Sequence, residues 1–332
     1  KGIKWMFTKD APLLIHPRFD LKQLRWMAKF LYHTVRGDYH ANTVKTIQLG
    51  LESRRLYDQL CNQESIEFDQ TNSGILHFYK DKKYWQDAQA ATELYQQNGL
   101  DRKIIDINTI TDIDPALESI DNLQGATYTA SDWTGDIHKF CYSLMEVLKN
   151  RYGVKFIRNT IIKDYVQVKD YDFIVVSAGI GSVKFAESVG DSLPIYPVKG
   201  YSITINNVDP RHLPKVSLLD DQAKIVTSTL GNRLRVAGTA ELCGENYDIT
   251  RSRIEPLLRW VHKNFPKINT HDYTSWACLR PMTPNMMPIV RQSEKNNKVF
   301  YNTGHGHLGW TLAPVTAKEV VTLVENKHFK GK

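Results

Sequence analysis

A glycine-rich segment at residues 302–311 combines residue types that suit the binding of a cofactor. Three glycines fall within six residues there, between an apolar strand and an amphipathic helix. Glycine lets the backbone approach a ligand closely, and the first turn of a helix directs N–H groups toward an anionic or electron-rich group. The sequence therefore predicts a ligand-binding loop, with Thr311 available to cap the helix or to form a hydrogen bond.

The same loop contains two histidines, His305 and His307. A pair of histidines can hold a metal ion, but zinc sites add further ligands at set spacings. Neither an HExxH pattern nor a cysteine partner accompanies these two residues. We therefore predict no metal site and interpret both histidines as loop residues beside a cofactor.

Small residues also follow the apolar strand that ends near residue 177. Ser177, Ala178, Gly179 and Gly181 lie at the turn into the next element, where a ligand phosphate or ring could approach the backbone. A tight turn from strand to helix, with no ligand, produces the same pattern. Both interpretations stay open from this segment alone.

Two cations occur in otherwise apolar strands. Arg280 is a candidate for a bidentate carboxylate clamp, because a guanidinium keeps its charge and presents a planar fork. An internal ion pair to an Asp or Glu is an equal alternative. Lys199 and Gly200 begin another strand, just after Tyr196 and Pro197, where the proline and the glycine also suit a simple turn.

The hydrophobic periodicity predicts an α/β part followed by an α+β part. Helices are expected at 40–62, 82–98, 137–152, 253–264 and 310–326. Strands are expected at 74–79, 125–128, 154–157, 171–181, 201–205, 216–219, 224–228, 233–237, 273–279, 287–290 and 299–302. The strand at 171–181 is expected to be buried on both faces because its apolar residues do not alternate. The segments between 195 and 280 indicate a mostly antiparallel sheet.

The composition excludes several classes of protein. The 332 residues are 42% hydrophobic and 24% charged, which is typical of a globular chain long enough for two domains. The four cysteines lie far apart without a CxxC pair, so we predict reduced thiols rather than a zinc ribbon or a disulfide framework. We expect neither a membrane-spanning helix, which needs about 18 consecutive apolar residues, nor an export signal.

Positive charge is concentrated at the start of the sequence, where residues 1–36 carry +6 of the formal net charge of +7. Leu24, Met27, Ala28, Leu31 and Val35 recur there at helical spacing, which predicts an amphipathic basic helix. Such a helix either lies on an anionic lipid surface or packs on its own domain with a solvated charged face. Nucleic acid is not expected as a partner, because the remaining chain is nearly neutral.

Six segments, in this order, carry a resemblance to a known family: KGIKWMF, QLRWMAKF, IVVSAGIGS, YPVKGYS, LRPMTPNMMPIV and NTGHGHLGWTLAP. The chain resembles the bacterial FAD-dependent D-amino acid dehydrogenase small subunits, within the wider D-amino acid oxidase and glycine oxidase family, over essentially its whole length. The resemblance implies hydride transfer from a D-amino acid of the D-alanine type to FAD, which yields a 2-oxo acid and ammonia. It also implies a respiratory electron acceptor, a quinone or a similar compound.

The resemblance further implies roles for individual residues. Arg280 would bind the substrate carboxylate, with Tyr196 beside the substrate and Lys224 at the position where oxidase members carry a substrate-binding tyrosine. The cofactor-binding residues would be Ala178, Gly179, Lys199, Gly200, Gly304, His305, Gly306, Gly309, Trp310 and Thr311. The implied location is cytoplasmic, with peripheral contact on the cytoplasmic face of the inner membrane through residues 1–36.

One part of the family pattern is not found in the sequence. The family begins with a strand, a GxGxxG turn and a helix that hold the FAD pyrophosphate, and these 332 residues contain no such segment. The sequence also opens at Lys1 without a methionine. We therefore expect an N-terminal βαβ unit of about 80 residues to be missing, Ile174–Val176 to lose cover, and FAD to bind weakly or not at all.

This interpretation divides the chain into two domains. Residues 1–60, 126–192 and 284–332 are expected to form an incomplete three-layer FAD-binding domain. Residues 61–125 and 193–283 are expected to form an antiparallel-sheet substrate-binding domain. Two alternatives for function stay open: a glycine- or sarcosine-type FAD-dependent amine oxidase, and a non-catalytic truncated fragment.

Overall fold

The structure is a computed structural model that describes residues 12–16 and 19–330. The described chain divides into two compact units. Unit 1 contains the described part of Lys1–His16 with Glu67–Ser143 and Lys199–Cys278, and unit 2 contains the described parts of Pro17–Ile66, Leu144–Val198 and Leu279–Lys332. The segment KGIKWMF lies outside the described residues. The chain combines helices with a nine-stranded and a three-stranded sheet, as the predicted α/β and α+β parts require, so the predicted fold class is confirmed.

Unit 1 is built on a nine-stranded sheet, two of whose strands, Tyr196–Ile205 and Tyr273–Met282, extend into unit 2. Its strands are β1 (Leu13–Ile15), β2 (Ile75–Tyr79), β3 (Arg102–Ile105), β4 (Gly125–Thr129), β6 (Tyr196–Ile205), β7 (Ser217–Asp220), β8 (Ile225–Leu230), β9 (Arg233–Leu242) and β10 (Tyr273–Met282). The order is β10-β6-β9-β8-β7-β2-β4-β3, with β1 paired to β9. The pairs β6–β9, β9–β8, β8–β7, β2–β4 and β4–β3 are antiparallel, whereas β1–β9 and β2–β7 are parallel.

The core of unit 1 lies between this sheet and one helix. Leu234 and Val236 alternate along β9 and are fully buried. Leu257 and Val261 are four residues apart on the helix Arg251–Asn264, so both face the same apolar cluster. The helices of unit 1 are α3 (Lys82–Gln97), α4 (Ile110–Ile113) and α7 (Arg251–Asn264), and α5 (Ile137–Tyr152) begins in unit 1 and ends in unit 2.

Unit 2 contains a three-stranded sheet in which β12 (Val299–Thr303) pairs with β11 (Ile289–Gln292) on one side and β5 (Ile174–Val176) on the other. The β12–β5 pair is parallel, with Val299 opposite Ile174. The carboxyl ends of these two strands therefore lie at the same edge of the sheet, where ligands of open α/β sheets bind. The helices of unit 2 are α1 (Leu21–Arg36), α2 (Asp38–Glu64), α6 (Gly181–Val189) and α8 (Gly309–Lys330).

Two predicted strands differ from the structure. Residues 154–157 form no strand, because they have no ladder partner among the described residues, and Ile157 is 72% exposed. The strand predicted at 171–181 is only Ile174–Val176, and Val175 is 45% exposed. Within the described chain this strand has one neighbour, β12, so it is an edge strand rather than a strand buried on both faces.

The predicted basic helix is confirmed as α1, but its apolar stripe points away from the core. Gln23 is buried, and the Trp26 indole N–H donates to the Met282 carbonyl at 2.8 Å. Leu31 and Val35 are 58% and 87% exposed. Among the described residues, α1 therefore packs on unit 2 through Gln23 and Trp26, and its apolar stripe is not covered. No helix within residues 12–16 and 19–330 has the length and the apolar run needed to cross a bilayer.

Candidate functional site

The candidate site begins where β5 and β12 end in unit 2. The Thr303 hydroxyl donates to the Gly179 carbonyl at 3.3 Å, and Ser182 Oγ donates to Thr303 Oγ1 at 3.0 Å. The Ala178 N–H in turn donates to Ser182 Oγ at 3.2 Å. These bonds hold the small residues after β5 beside the first residues of the glycine-rich loop. The structure thus brings together the two turns that sequence reasoning selected separately.

The edge next to this turn has room and hydrogen-bonding capacity for a ligand. Gly179 has a φ of +56°, and no atom of the described residues, its chain neighbours aside, lies within 4 Å of the position that a Cβ would occupy there. Asn302 Oδ1 on β12 is buried and accepts no hydrogen bond from any described residue. Because buried polar atoms are normally paired, this acceptor fits a ligand that carries a donor.

The glycine-rich loop packs closely against the end of β10. The Gly306 N–H donates to the Pro281 carbonyl at 3.0 Å, and His305 forms an isolated antiparallel bridge with Met282. Gly304 and Gly306 have φ angles of +75° and +58°, in the region that favours glycine. The loop conformation therefore depends on these two glycines.

We predict that Gly304→Ala is markedly destabilising. A Cβ at Gly304 would lie 2.8 Å from Thr283 Cγ2, and Thr283 is buried with its hydroxyl bound to the Met287 carbonyl at 2.8 Å. Gly153→Ala is the matched control, because Gly153 also has a positive φ (+66°), but apart from its chain neighbours no atom in the described part of the chain lies within 4 Å of its Cβ position.

Urea denaturation of the two variants measures their free energy of unfolding. Gly153→Ala is expected to lower this free energy by about 1 kcal/mol through backbone strain. Gly304→Ala is expected to lower it by roughly a further 1–3 kcal/mol through steric overlap. Equal losses of unfolding free energy in the two variants would contradict the prediction that steric overlap with Thr283 adds to the cost.

Helix α2 positions the first turn of α8. The Tyr57 hydroxyl donates to the Trp310 carbonyl at 2.7 Å, and the Ser53 hydroxyl donates to the Thr311 carbonyl. Tyr57 and Trp310 also make an edge-on ring contact, with centroids 6.4 Å apart. Gly309, Trp310 and Thr311 are thus held rigidly at the end of the loop.

Arg280 is half-buried on β10, two residues before the strand ends. Because the loop is fastened to Pro281 and Met282, it brings His307 close enough for the Arg280 charge to affect it. Reduced hydration lowers the pKa of His307, and the positive charge of Arg280 lowers this pKa further. Burial also lowers the pKa of His305, whose Nε2 lies 3.0 Å from Thr316 Oγ1.

The other predicted site residues are Tyr196, Lys199, Gly200 and Lys224, and Tyr196 and Lys224 each contact an aspartate. The Tyr196 hydroxyl, in unit 2, donates to Asp20 at the start of α1 at 3.2 Å. Lys199, Gly200 and Lys224 belong to unit 1. Lys224 has a φ of +56°, and its ammonium lies 3.0 Å from Asp221 Oδ1.

Lys199 is 1% exposed and is part of a buried polar network. Its ammonium donates to Asn246 Oδ1 at 2.7 Å and to the Asp248 carbonyl at 3.1 Å, and it lies 3.4 Å from Glu241 Oε2. Glu241 also accepts from the Tyr201 hydroxyl, and its other oxygen is 2.6 Å from His16 Nε2. The network joins β6, β9 and the residue that follows β1, and Gly200 lies at the irregularity between the two strands.

Sequence reasoning missed Glu241 and did not assign a separate role to His307. The signal for Glu241 was a lone carboxylate among the uncharged residues 236–243, just beyond the strand predicted at 233–237, since a buried charge requires a partner such as Lys199. Among the described residues, no group of three or more His, Cys, Asp or Glu side chains could hold a metal ion.

Comparison with known proteins identifies the family of the chain. The family described as FAD dependent oxidoreductase matches residues 14–323. D-amino acid dehydrogenase 3 of Mesorhizobium japonicum is 42% identical over 98% of this chain and 82% of its own length, and D-amino acid dehydrogenase of Dechloromonas aromatica is 35% identical over the same shares.

Solved structures show the same fold at low identity. Glycine oxidase from Geobacillus kaustophilus has a TM-score of 0.76 at 20% identity, covering 84% of this chain and 79% of its own. L-proline dehydrogenase from P. horikoshii has a TM-score of 0.73 at 16% identity, covering 83% and 78%. The chain is an enzyme that belongs to the family of FAD-dependent oxidoreductases.

Proposed function

We propose that the protein oxidises D-amino acids of the D-alanine type to 2-oxo acids and ammonia and passes the electrons to a respiratory acceptor. The observation that carries this proposal is the position of Arg280 on the strand end to which the glycine-rich loop is bonded. A guanidinium at that point suits the carboxylate of an amino acid. The D-configuration follows the similarity to two D-amino acid dehydrogenases.

The described residues suit two parts of FAD, and the pyrophosphate between them would depend on the N-terminal segment expected from the family pattern. The space beside Gly179 and the unused acceptor Asn302 Oδ1 suit the hydroxyl-rich adenosine diphosphate part, next to Ala178. Gly304, Gly306 and the first turn of α8 suit the flavin part, with the other proposed contacts from His305, Gly309, Trp310 and Thr311. When bound, FAD supplies the two-electron acceptor for the α-hydrogen of the substrate.

We infer that unit 2 is the cofactor-binding unit, because it contains Arg280 and the proposed FAD contacts of both turns. Lys199, Gly200 and Lys224 belong to unit 1. The role of Arg280 is to bind the carboxylate and so to orient the α-carbon, because orientation is the main contribution a protein makes to such a transfer.

The experiment compares substrates and acceptors. The FAD-loaded protein is given D-alanine, L-alanine, glycine or sarcosine, and the reduction of an artificial dye without oxygen is compared with oxygen consumption in air. The proposal predicts dye reduction with D-alanine and little oxygen uptake. Rapid oxygen uptake with glycine or sarcosine would instead support an amine oxidase. No activity with any of the four substrates, in protein that has bound FAD, would support the non-catalytic alternative.

We also propose that α1 contacts an anionic lipid surface, which would place the enzyme next to its respiratory acceptor. The exposed apolar residues Leu21, Leu24, Leu31 and Val35 form a stripe along the helix. Lys22, Arg25, Lys29 and Arg36 form an adjacent basic stripe. An apolar stripe bordered by cations suits the boundary between lipid headgroups and acyl chains.

Substitution of Leu31→Ser with Val35→Ser is expected to weaken binding to vesicles of equal parts phosphatidylglycerol and phosphatidylcholine by about tenfold or more. The matched control is Ile161→Ser with Val166→Ser, which removes two exposed apolar side chains of unit 2 outside the helix. Vesicle co-sedimentation measures the difference. Equal binding by both double variants, or equal binding to vesicles of phosphatidylcholine alone, would refute the lipid contact.

A further inference from the structure

The two histidines of the glycine-rich loop have different surroundings. His305 Nε2 lies 3.0 Å from the hydroxyl of Thr316, which is fully buried on α8. His307 is exposed, and its ring has no hydrogen-bond partner within the described part of the chain. His305 thus holds the loop on α8 through Thr316, whereas no described residue forms a hydrogen bond with the ring of His307.

The loop fixes His307 beside Arg280. The Gly306 N–H is bonded to the Pro281 carbonyl, and the Leu308 N–H is bonded to the His305 carbonyl, each at 3.0 Å. The residue between Gly306 and Leu308 is therefore held on both sides, next to the strand position that follows Arg280. The backbone of residue 307 is therefore placed near Arg280, and the Arg280 charge acts on the His307 imidazole.

We infer that His307 takes the proton that an amino acid substrate must lose before oxidation. This inference rests on the proposed function. An amino acid arrives with a carboxylate and an ammonium group on the same carbon, so a clamp on the carboxylate brings the ammonium within reach of a neighbouring base. One ammonium N–H bond breaks, and the proton forms an N–H bond on the neutral imidazole.

The oxidation of the substrate follows this deprotonation, and its atoms and electrons balance. The neutral amine has a lone pair that forms the C=N bond of a protonated imino acid as the α-hydrogen leaves with its electron pair. Bound FAD would supply the acceptor for this hydride, and hydrolysis of the protonated imino acid would give the 2-oxo acid and ammonium. The imidazolium then returns its proton to solvent, which the exposure of His307 permits. A neutral His307 at neutral pH suits this role, and Arg280 is the charged group that lowers its pKa.

His307→Gln tests the inference through the pH dependence of kcat/KM for D-alanine. The kcat/KM of the variant is expected to fall by on the order of 10²-fold at pH 7. Its kcat/KM should then rise about tenfold per pH unit, because it uses only the substrate molecules that are already deprotonated. His305→Gln is the control, and its pH profile should keep the wild-type shape even where the absolute rate falls.

A second readout does not depend on turnover. The pKa of His307, measured by NMR of the imidazole in the protein, is expected to lie below the ordinary value of about 6.5 and to rise toward it in Arg280→Gln. A His307 pKa that does not respond to Arg280→Gln would overturn the inference, as would a His307→Gln profile parallel to wild type. Failure of the wild-type protein to oxidise any amino acid, by contrast, would contradict the proposed function itself.

Discussion

Arg280→Gln is expected to lower kcat/KM for D-alanine by about 10²-fold or more, which corresponds to roughly 2–4 kcal/mol of lost charge-assisted binding. The glutamine amide has a similar shape but lacks the positive charge and the five-donor fork. The substrate carboxylate would then be held weakly, and its α-hydrogen would be misdirected. Both a higher KM and a lower kcat are expected, because the clamp orients the substrate as well as binding it.

The control for this variant is Arg291→Gln. Arg291 is a half-buried arginine of the same unit, with an ion pair to Glu294 at 3.4 Å and its guanidinium 5.3 Å from the Tyr301 ring centroid. Its loss is expected to leave the kinetics with D-alanine unchanged. Arg280→Lys should recover part of the rate, because lysine restores the charge without the bidentate geometry. Kinetics of Arg280→Gln that equal those of Arg291→Gln would show that Arg280 does not bind the carboxylate.

Glu241→Gln is expected to destabilise the folded protein by about 3–5 kcal/mol, because it leaves the buried ammonium of Lys199 without a countercharge. Lys199 is 1% exposed, so water cannot replace the lost partner. The variant Lys199→Met with Glu241→Gln removes both charges and should regain most of the loss. His16→Gln removes only the half-exposed partner of the same carboxylate and should cost about 1 kcal/mol.

The pH dependence of unfolding gives this prediction a second measurement. Burial acts to raise the pKa of Glu241, but bonds from Tyr201 and His16 and the charge of Lys199 outweigh it and lower the pKa. A carboxyl whose pKa is lowered on folding stabilises the protein above its unfolded pKa, and this stabilisation is lost as the pH falls through the folded value. Wild type should lose stability faster than Glu241→Gln as the pH falls below about 4.5. Identical acid profiles, or a loss under 1 kcal/mol at neutral pH, would contradict the role given to the pair.

Local signals predicted most of the elements. The helix at 137–152 was predicted with the bounds the structure shows, because Gly153 with its positive φ ends it. The strands predicted between 201 and 279 were recognised from short apolar segments between turns, although β6 begins five residues earlier and β9 ends five residues later than predicted. The strand predicted at 154–157 failed because apolar residues alone do not supply a neighbouring strand.

The candidate site was predictable where one segment contained its own signal. The loop around Gly304 and Gly306 depends on local backbone freedom, which the residue types reveal. The Lys199–Glu241 pair depends instead on the register of β6 against β9, and a slip of one residue would turn each side chain to the opposite face. The proximity of His307 to Arg280 likewise depends on a bond between segments 25 residues apart, from Gly306 to Pro281.

The most direct test of the proposed activity is the visible absorption spectrum of the purified protein with FAD, recorded without oxygen before and after addition of D-alanine. The proposal predicts that the bands of the bound oxidised flavin disappear with D-alanine, return on addition of an electron-accepting dye, and stay unchanged with L-alanine. Bound flavin whose spectrum does not change with D-alanine or any other D-amino acid would contradict it.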